Sequence, residues 1–186
     1  MSTAVHPLTY ADLCRMPDDG LRYEIIGGEL FVAPAPNLDH QEVSGGLYAL
    51  LRSYVRAHRL GRVWYAPVDV RLSEHDVVEP DLLFVRRDRR DIYQTRRYVE
   101  GAPDLVVEII SPSSQKIDPG RKFALYASSG VPEYWLVDYE ARRFQLFVLR
   151  LGRYAEIAAN EGRFQSEAIL GLVIDPAAVF AELDEE

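Results

Sequence analysis

Two carboxylates sit where the sequence is otherwise apolar. Asp81 lies in VVEPDLLFV (77–85) and Glu108 in APDLVVEIISPSS (102–114), and Lys122 follows in DPGRKFALYASSG (118–130). An ionised acid taken out of water costs several kcal/mol unless it is paired or holds a metal, so both acids demand compensation. Period-two alternation puts Val106 and Ile110 on the face of Glu108, and Val107 and Ile109 on the other. If the two runs are neighbouring strands, the carboxylates converge. Two close carboxylates repel unless a cation stands between them or one is neutral. Oxygen ligands of this kind suit Mg²⁺ or Mn²⁺, which polarises a phosphate oxygen and lowers the pKa of an attacking water. Of 21 basic residues only Lys116 and Lys122 are lysines. A compact ammonium at 122 would hold that water or stabilise charge building on phosphorus; the alternative is a stem that snorkels outward over an apolar helix face.

Other residues carry two readings each. Glu24, before the Gly27-Gly28 turn, is either an auxiliary acid of the same site or a solvent-facing strand residue, and Glu29 across the turn has the same ambiguity. His40, opening a long helical stretch, is a phosphate or metal contact, or else a cap or surface residue. Arg86, Arg87, Arg89 and Arg90, followed by Arg96 and Arg97, form a local basic segment: a nucleic-acid contact or a solvated loop. Pro103-Asp104 is a second proline–acid pair beside Pro80-Asp81, and Asp104, at a strand entrance, reads as a turn or capping residue. Tyr134 and Trp135 read as core. The serines of SPSS have no histidine partner for a nucleophilic triad.

The elements that must position these residues are short. Thr9 starts a small helix carrying Tyr10, Leu13 and Met16 within an N-terminal arm, residues 1–20. RYEIIGGELFV (22–32) reads as a hairpin. A helix spans about 40–58, with Val43, Leu47, Leu50, Leu51, Tyr54 and Val55 on one stripe and a polar face left over. Residues 62–72 suggest a strand or a bent pair, with Pro67 at an edge or bulge. The runs 77–85 and 104–111 are dense enough for strands covered on both faces. Asp118-Pro119 starts a helix that Gly130 ends. Strands follow at 132–137 and 143–149, edge strands at 153–158 and 164–173, and a short terminal helix within 175–186. The whole is one α/β domain, 1–186, with a central mixed β-sheet flanked by helices.

Composition narrows the classes. A chain of 186 residues, 48% hydrophobic and 27% charged, buries a real core. The single cysteine, Cys14, excludes a disulfide framework and points to the cytoplasm. No apolar run reaches the ~20 residues of a membrane span, and the start lacks the charged-then-apolar layout of a signal peptide. The net charge of −8 has the wrong sign for phosphate binding overall, so a nucleic-acid enzyme here must rely on a metal and a local basic patch.

The blocks RYEIIGGELFVAPAP, VEPDLLFV, GAPDLVVEIISPSS and DPGRKFALYASSGVPEYWLVD resemble the Uma-type family of putative restriction endonucleases, in the PD-(D/E)XK nuclease superfamily. The resemblance implies a restriction-endonuclease-like core in which Pro80-Asp81 is the proline–acid pair and Glu108 the second acid. Lysine is absent two residues after Glu108, where Ile110 stands; the family uses a displaced lysine, and Lys122 is the position that supplies it. The implied activity is Mg²⁺-dependent hydrolysis of DNA by a metal-activated water, with Asp81, Glu108 and Lys122 catalytic and, by analogy, a homodimer. The alternative is a nuclease-fold protein without cleavage that binds nucleic acid or assists assembly. Glycoside hydrolysis by the same carboxylates would need an open sugar cleft that apolar strands do not offer.

Overall fold

A computed structural model describes residues 6–33, 35–110 and 119–184. The cap expected at Asp118, Lys116 and the serines of SPSS lie outside the described residues. The elements are α1 (Tyr10–Leu13), β1 (Arg22–Ile26), β2 (Glu29–Ala33), α2 (Leu38–Ala57), β3 (Gly61–Tyr65), β4 (Val70–Arg71), β5 (Val77–Val78), β6 (Leu82–Arg86), β7 (Val99–Glu100), β8 (Leu105–Ile110), α3 (Pro119–Ser128), β9 (Glu133–Asp138), β10 (Arg143–Arg150), β11 (Arg153–Ile157), β12 (Phe164–Gln165), β13 (Val173–Ile174) and α4 (Pro176–Ala181).

The β-structure is divided. A six-stranded mixed sheet, β11-β10-β9-β8-β6-β3, is the centre, and a five-stranded mixed sheet, β2-β1-β5-β4-β7, stands apart from it. The sequence leads one to expect a single central sheet and a continuous strand over 77–85. Instead that run breaks at Glu79-Pro80-Asp81, so that β5 belongs to the smaller sheet and β6 to the larger. Proline cannot donate to a ladder, which makes this the natural point for the chain to change sheets. The run 62–72 divides likewise at Pro67 into β3 and β4. Residues 164–173 add no edge to either large sheet; β12 and β13 pair only with each other.

Each face of the large sheet has its own core. Val43, Leu47, Leu51 and Val55 of α2 pack on Val63, Phe84, Val107, Ile109 and Trp135, with Val179 and Phe180 of α4 completing that side. On the other face Leu83, Val85, Val106 and Tyr134 pack with Tyr126 of α3 and with Ile26, Val70 and Val78 of the smaller sheet. Burial on both faces explains the unbroken apolar runs of β6 and β8. Local signals hold the rest: Asp12 accepts hydrogen bonds from the N–H and hydroxyl of Thr9, and Gly27 and Gly28 turn the β1–β2 hairpin at φ 60° and 78°. A side chain at Gly28 would also meet Pro7, 2.4 Å from its Cβ. No helix among the described residues is long and apolar enough to cross a membrane.

Candidate active site

The site lies where the smaller sheet and α3 meet the large sheet. β6 and β8 are antiparallel, and their last pair at this end is Leu82 opposite Val107. One step further come Asp81 and Glu108, where the ladder has ended. The Asp81 side chain takes over a ladder position: its Oδ2 accepts the Ile109 N–H at 2.8 Å, while its backbone carbonyl accepts the Ala66 N–H at 3.0 Å. Both acids therefore occupy the opening left as the strands part.

Asp81 is 4% exposed and fully engaged. Arg22 Nη1 donates to Oδ1 at 2.9 Å, and His40 Nε2 lies 3.3 Å from Oδ2. Burial pushes the carboxyl up, but His40, Arg22 and the Ile109 N–H outweigh it and hold it below the usual carboxylate range. Glu108 receives the Tyr126 hydroxyl at 2.6 Å and Lys122 Nζ at 3.1 and 3.2 Å. Lys122 and Tyr126 are four apart on α3 and so share a face. Phe123 fixes the helix by packing edge-on against Tyr134, Phe147 and Tyr154.

Lys122 Nζ also lies 2.8 Å from Glu24 Oε1, so one ammonium joins two carboxylates from different sheets. Glu24 is buried and accepts the Glu79 N–H at 2.7 Å. Burial pushes Glu108 up to about 7, with Lys122 opposing and Asp81 and Glu24 reinforcing. Burial works against the Lys122 charge, but Glu108 and Glu24 prevail and hold it above the ordinary lysine value. Burial likewise pushes Glu79 up to about 7, helped by Asp69, with which it shares a hydrogen bond. One Glu79 oxygen, Oε2, is buried without a partner.

The carboxylates of Glu24, Glu79, Asp81 and Glu108 thus outnumber Arg22 and Lys122. Among the described residues no three acid, histidine or cysteine side chains converge as a ready-made ion cage, and Lys122 stands between Glu24 and Glu108. A hard divalent ion does not need such a cage: it binds through one or two carboxylates and fills its shell with water and phosphate oxygens. The all-oxygen donors and the surplus of acid fit that ion.

The other sequence candidates divide. Glu24 joins the cluster; Glu29 is exposed and pairs with Arg121 at 2.8 Å. His40 neither caps α2 nor reaches the surface: Asn37 is the cap, accepting the His40 N–H, and the His40 ring is buried against Asp81 with Nδ1 unpartnered. Arg86 and Arg89 pair with Asp104, at 3.3 and 3.0 Å, whereas Arg87 and Arg90 are exposed and pair with no carboxylate among the described residues. Asp104 also accepts the Arg86 N–H at 2.8 Å, so it joins the two strands at the other end of their ladder. Tyr134 and Trp135 are core.

Residues 9–177 match the model of the Uma2 family, described as putative restriction endonuclease. This chain belongs to the Uma2 family. The fold agrees with a solved structure, a putative nuclease belonging to DUF820 from Anabaena variabilis, at a TM-score of 0.77 and 18% identity, over 95% of this chain and 99% of that one. No curated protein matches the chain. In this Uma2 chain the sequence reading missed Arg22, although its spacing was informative: Arg22 and Glu24 are two apart in β1 and share a face. Tyr126 was visible only as an apolar helix residue, because nothing in the sequence says that its hydroxyl meets Glu108.

Proposed function

We propose that this chain is a divalent-metal-dependent DNA endonuclease. The observation that carries the reading is the convergence of Asp81, Glu108, Glu24 and Lys122 from β6, β8, β1 and α3 on one nearly sealed cluster with more acid than base. Asp81 and Glu108 would hold Mg²⁺ or Mn²⁺, which supplies Lewis-acid polarisation of a phosphate oxygen and a more acidic water. The remaining work falls to the chain. Ile109 N–H, Arg22 and His40 fix Asp81, and the Tyr126 hydroxyl fixes Glu108. Lys122 Nζ, steered by Glu24, is the donor for an attacking water or for charge developing on the phosphoryl oxygens.

A second reading is a binding or assembly module with no cleavage, and one contact favours it. Lys122 is already committed to both Glu24 and Glu108, which offsets part of the cluster's acid without an ion. Incubating plasmid and single-stranded DNA with the protein and Mn²⁺ or Mg²⁺ separates the two. Metal-dependent nicking that Asp81→Asn abolishes is the expected result. Metal-independent nicking, or nicking indifferent to Asp81, removes the endonuclease assignment to this site.

A further inference from the structure

Six exposed arginines gather on one face. Arg52, Arg56 and Arg59 at the end of α2, Arg62 on β3, and Arg87 and Arg90 after β6 line one groove with Tyr48, Trp64 and Tyr93. A second groove, with Arg96, Arg97 and Tyr98, shares Arg62, Trp64, Arg90 and Tyr93 with the first, so the two are continuous. Each of the six arginines in the first groove is exposed, and none pairs with a carboxylate among the described residues. Arg22, Arg71, Arg86, Arg89, Arg121, Arg142 and Arg150, by contrast, all do. Asp88 and Asp91 lie on the second groove's rim, and Asp88 is drawn to Arg86 at 3.4 Å.

In a chain of net charge −8, six uncompensated cations on one face call for a ligand of opposite sign. The dipole of α2 accounts for Arg56 and Arg59 at its C-terminus but not for Arg62, Arg87 and Arg90, which come from other elements. The groove wraps the outer edge of β3, which pairs with β6 alone among the described residues. It also leads to the acids. Tyr48 meets Tyr65 edge-on at 4.6 Å, Tyr65 is 55% exposed, and the next residue, Ala66, donates to the Asp81 carbonyl. From His40 to Arg56 is about 24 Å along the helix axis, equivalent to roughly seven nucleotides of a stacked strand.

We propose that this arginine-lined trough binds the phosphodiester backbone of the DNA strand flanking the cut, about seven nucleotides from it. The proposal extends the endonuclease reading by giving its substrate a second anchor, built from Arg52, Arg56, Arg59, Arg62, Arg87 and Arg90. Half-buried aromatic rings interleaved with exposed arginines suit a nucleic-acid strand, since bases stack on aromatic rings while guanidinium groups track phosphates. Each neutralised phosphate contributes a salt-dependent term, so the trough has a measurable signature.

The test uses fluorescein-labelled 20-nucleotide single strands and 20-base-pair duplexes, with binding read by anisotropy in EDTA so that no cleavage intervenes. The full chain is compared with R52Q/R56Q/R90Q and with R143Q/R153Q, which removes two exposed arginines elsewhere. Circular dichroism confirms folding. The triple variant is expected to bind at least tenfold more weakly and to lower the slope of log K against log salt by about 2 to 3. The control should leave both nearly unchanged, and the ratio of single-strand to duplex affinity identifies which form the trough takes. Equal weakening by the control, or an unaltered slope in the triple variant, overturns the trough. So does failure of the wild-type chain to bind DNA together with self-association that the triple variant loses, which would assign the face to a second copy. Loss of DNA binding in the triple variant of a protein that never cleaves with Mn²⁺ would remove the endonuclease reading and leave the trough standing. Cleavage with binding untouched by the triple variant would do the reverse.

Discussion

Two proline–acid pairs close the two ends of the β6–β8 ladder. Asp81 follows Pro80 and accepts a backbone N–H from β8, that of Ile109; Asp104 follows Pro103 and accepts one from β6, that of Arg86. Each is buried, and each draws an arginine, Arg22 at 2.9 Å and Arg89 at 3.0 Å. By type, burial and local bonding they are near equivalents. The difference lies one shell out. Around Asp104 the ionic partners are the cations Arg86 and Arg89, so its charge is compensated and the matter closes. Asp81 likewise meets Arg22 and His40, but Glu108 beside it adds a second buried acid whose cation, Lys122, is shared with Glu24. Glu133 sides with Asp104: fully buried, it is satisfied by Trp135, Ser166 and the N–H groups of Glu167 and Ala168. A buried acid marks a reactive site when its compensation is incomplete.

Exchanging the two acids for amides tests that distinction most severely. Asp81→Asn should lower metal-dependent DNA cleavage about 10³-fold, while Asp104→Asn leaves the cleavage rate per folded molecule unchanged. In chemical denaturation Asp104→Asn should cost about 2 kcal/mol, since it weakens charge-assisted hydrogen bonds to Arg86 and Arg89, whose own charges water still reaches. The reverse pattern would mean that the ends have been assigned the wrong way round.

Divalent ions provide the next measurement. Saturating Mn²⁺, at about 100 times its dissociation constant, should stabilise the chain by about 2.7 kcal/mol. That gain should persist in Asp104→Asn and vanish in Asp81→Asn. A gain of equal size in both variants would locate the ion elsewhere.

Proton linkage separates the two acids of the Asp81 end in sign. Glu108 is raised from 4.5 to about 7 on folding, so the folded chain holds more protons than the unfolded one between those values. Its contribution is complete below pH 4.5 and is lost as pH climbs to about 7, on the order of 3 kcal/mol at most. Asp81, held below its ordinary value, acts oppositely: its contribution is present at neutral pH and is lost as acid protonates it. Metal-free Glu108→Gln should therefore lessen the decline from pH 4.5 to 7, leaving the part that Glu79 contributes over the same range, and keep acid unfolding in place, as read by urea titration at each pH. The smallest effect belongs to Asn37→Ala, which removes the acceptor of the His40 N–H and should cost about 1 kcal/mol in thermal unfolding.

Most of the elements were legible because their signals are local: alternation in β8, the glycine pair of the hairpin, the stripe of α2. The division into two sheets was not, because whether a proline bends a strand or ends it depends on what pairs with the residues beyond. At the site, Asp81 and Glu108 stood out as charges in apolar runs. Glu24 and His40 did not, since their burial comes from α3 and β6 arriving from distant sequence. The arginines misled for a related reason. Those of residues 86–90 are adjacent in sequence but divide between Asp104 and solvent, whereas Tyr48, Arg52 and Arg56, spaced by four along α2, join Arg90 only in three dimensions.

The uncovered edge of β3 sets a condition on the chain's behaviour in a crowded solution. An open strand edge is a template on which another molecule's strand can add, and repeated addition leads to fibrous aggregates. Arg62 on that edge, with Arg59 and Arg90 beside it, makes each such approach meet like charge. Were DNA to mask those charges, a physical cover would replace the deterrent, and the edge would stay guarded in either state.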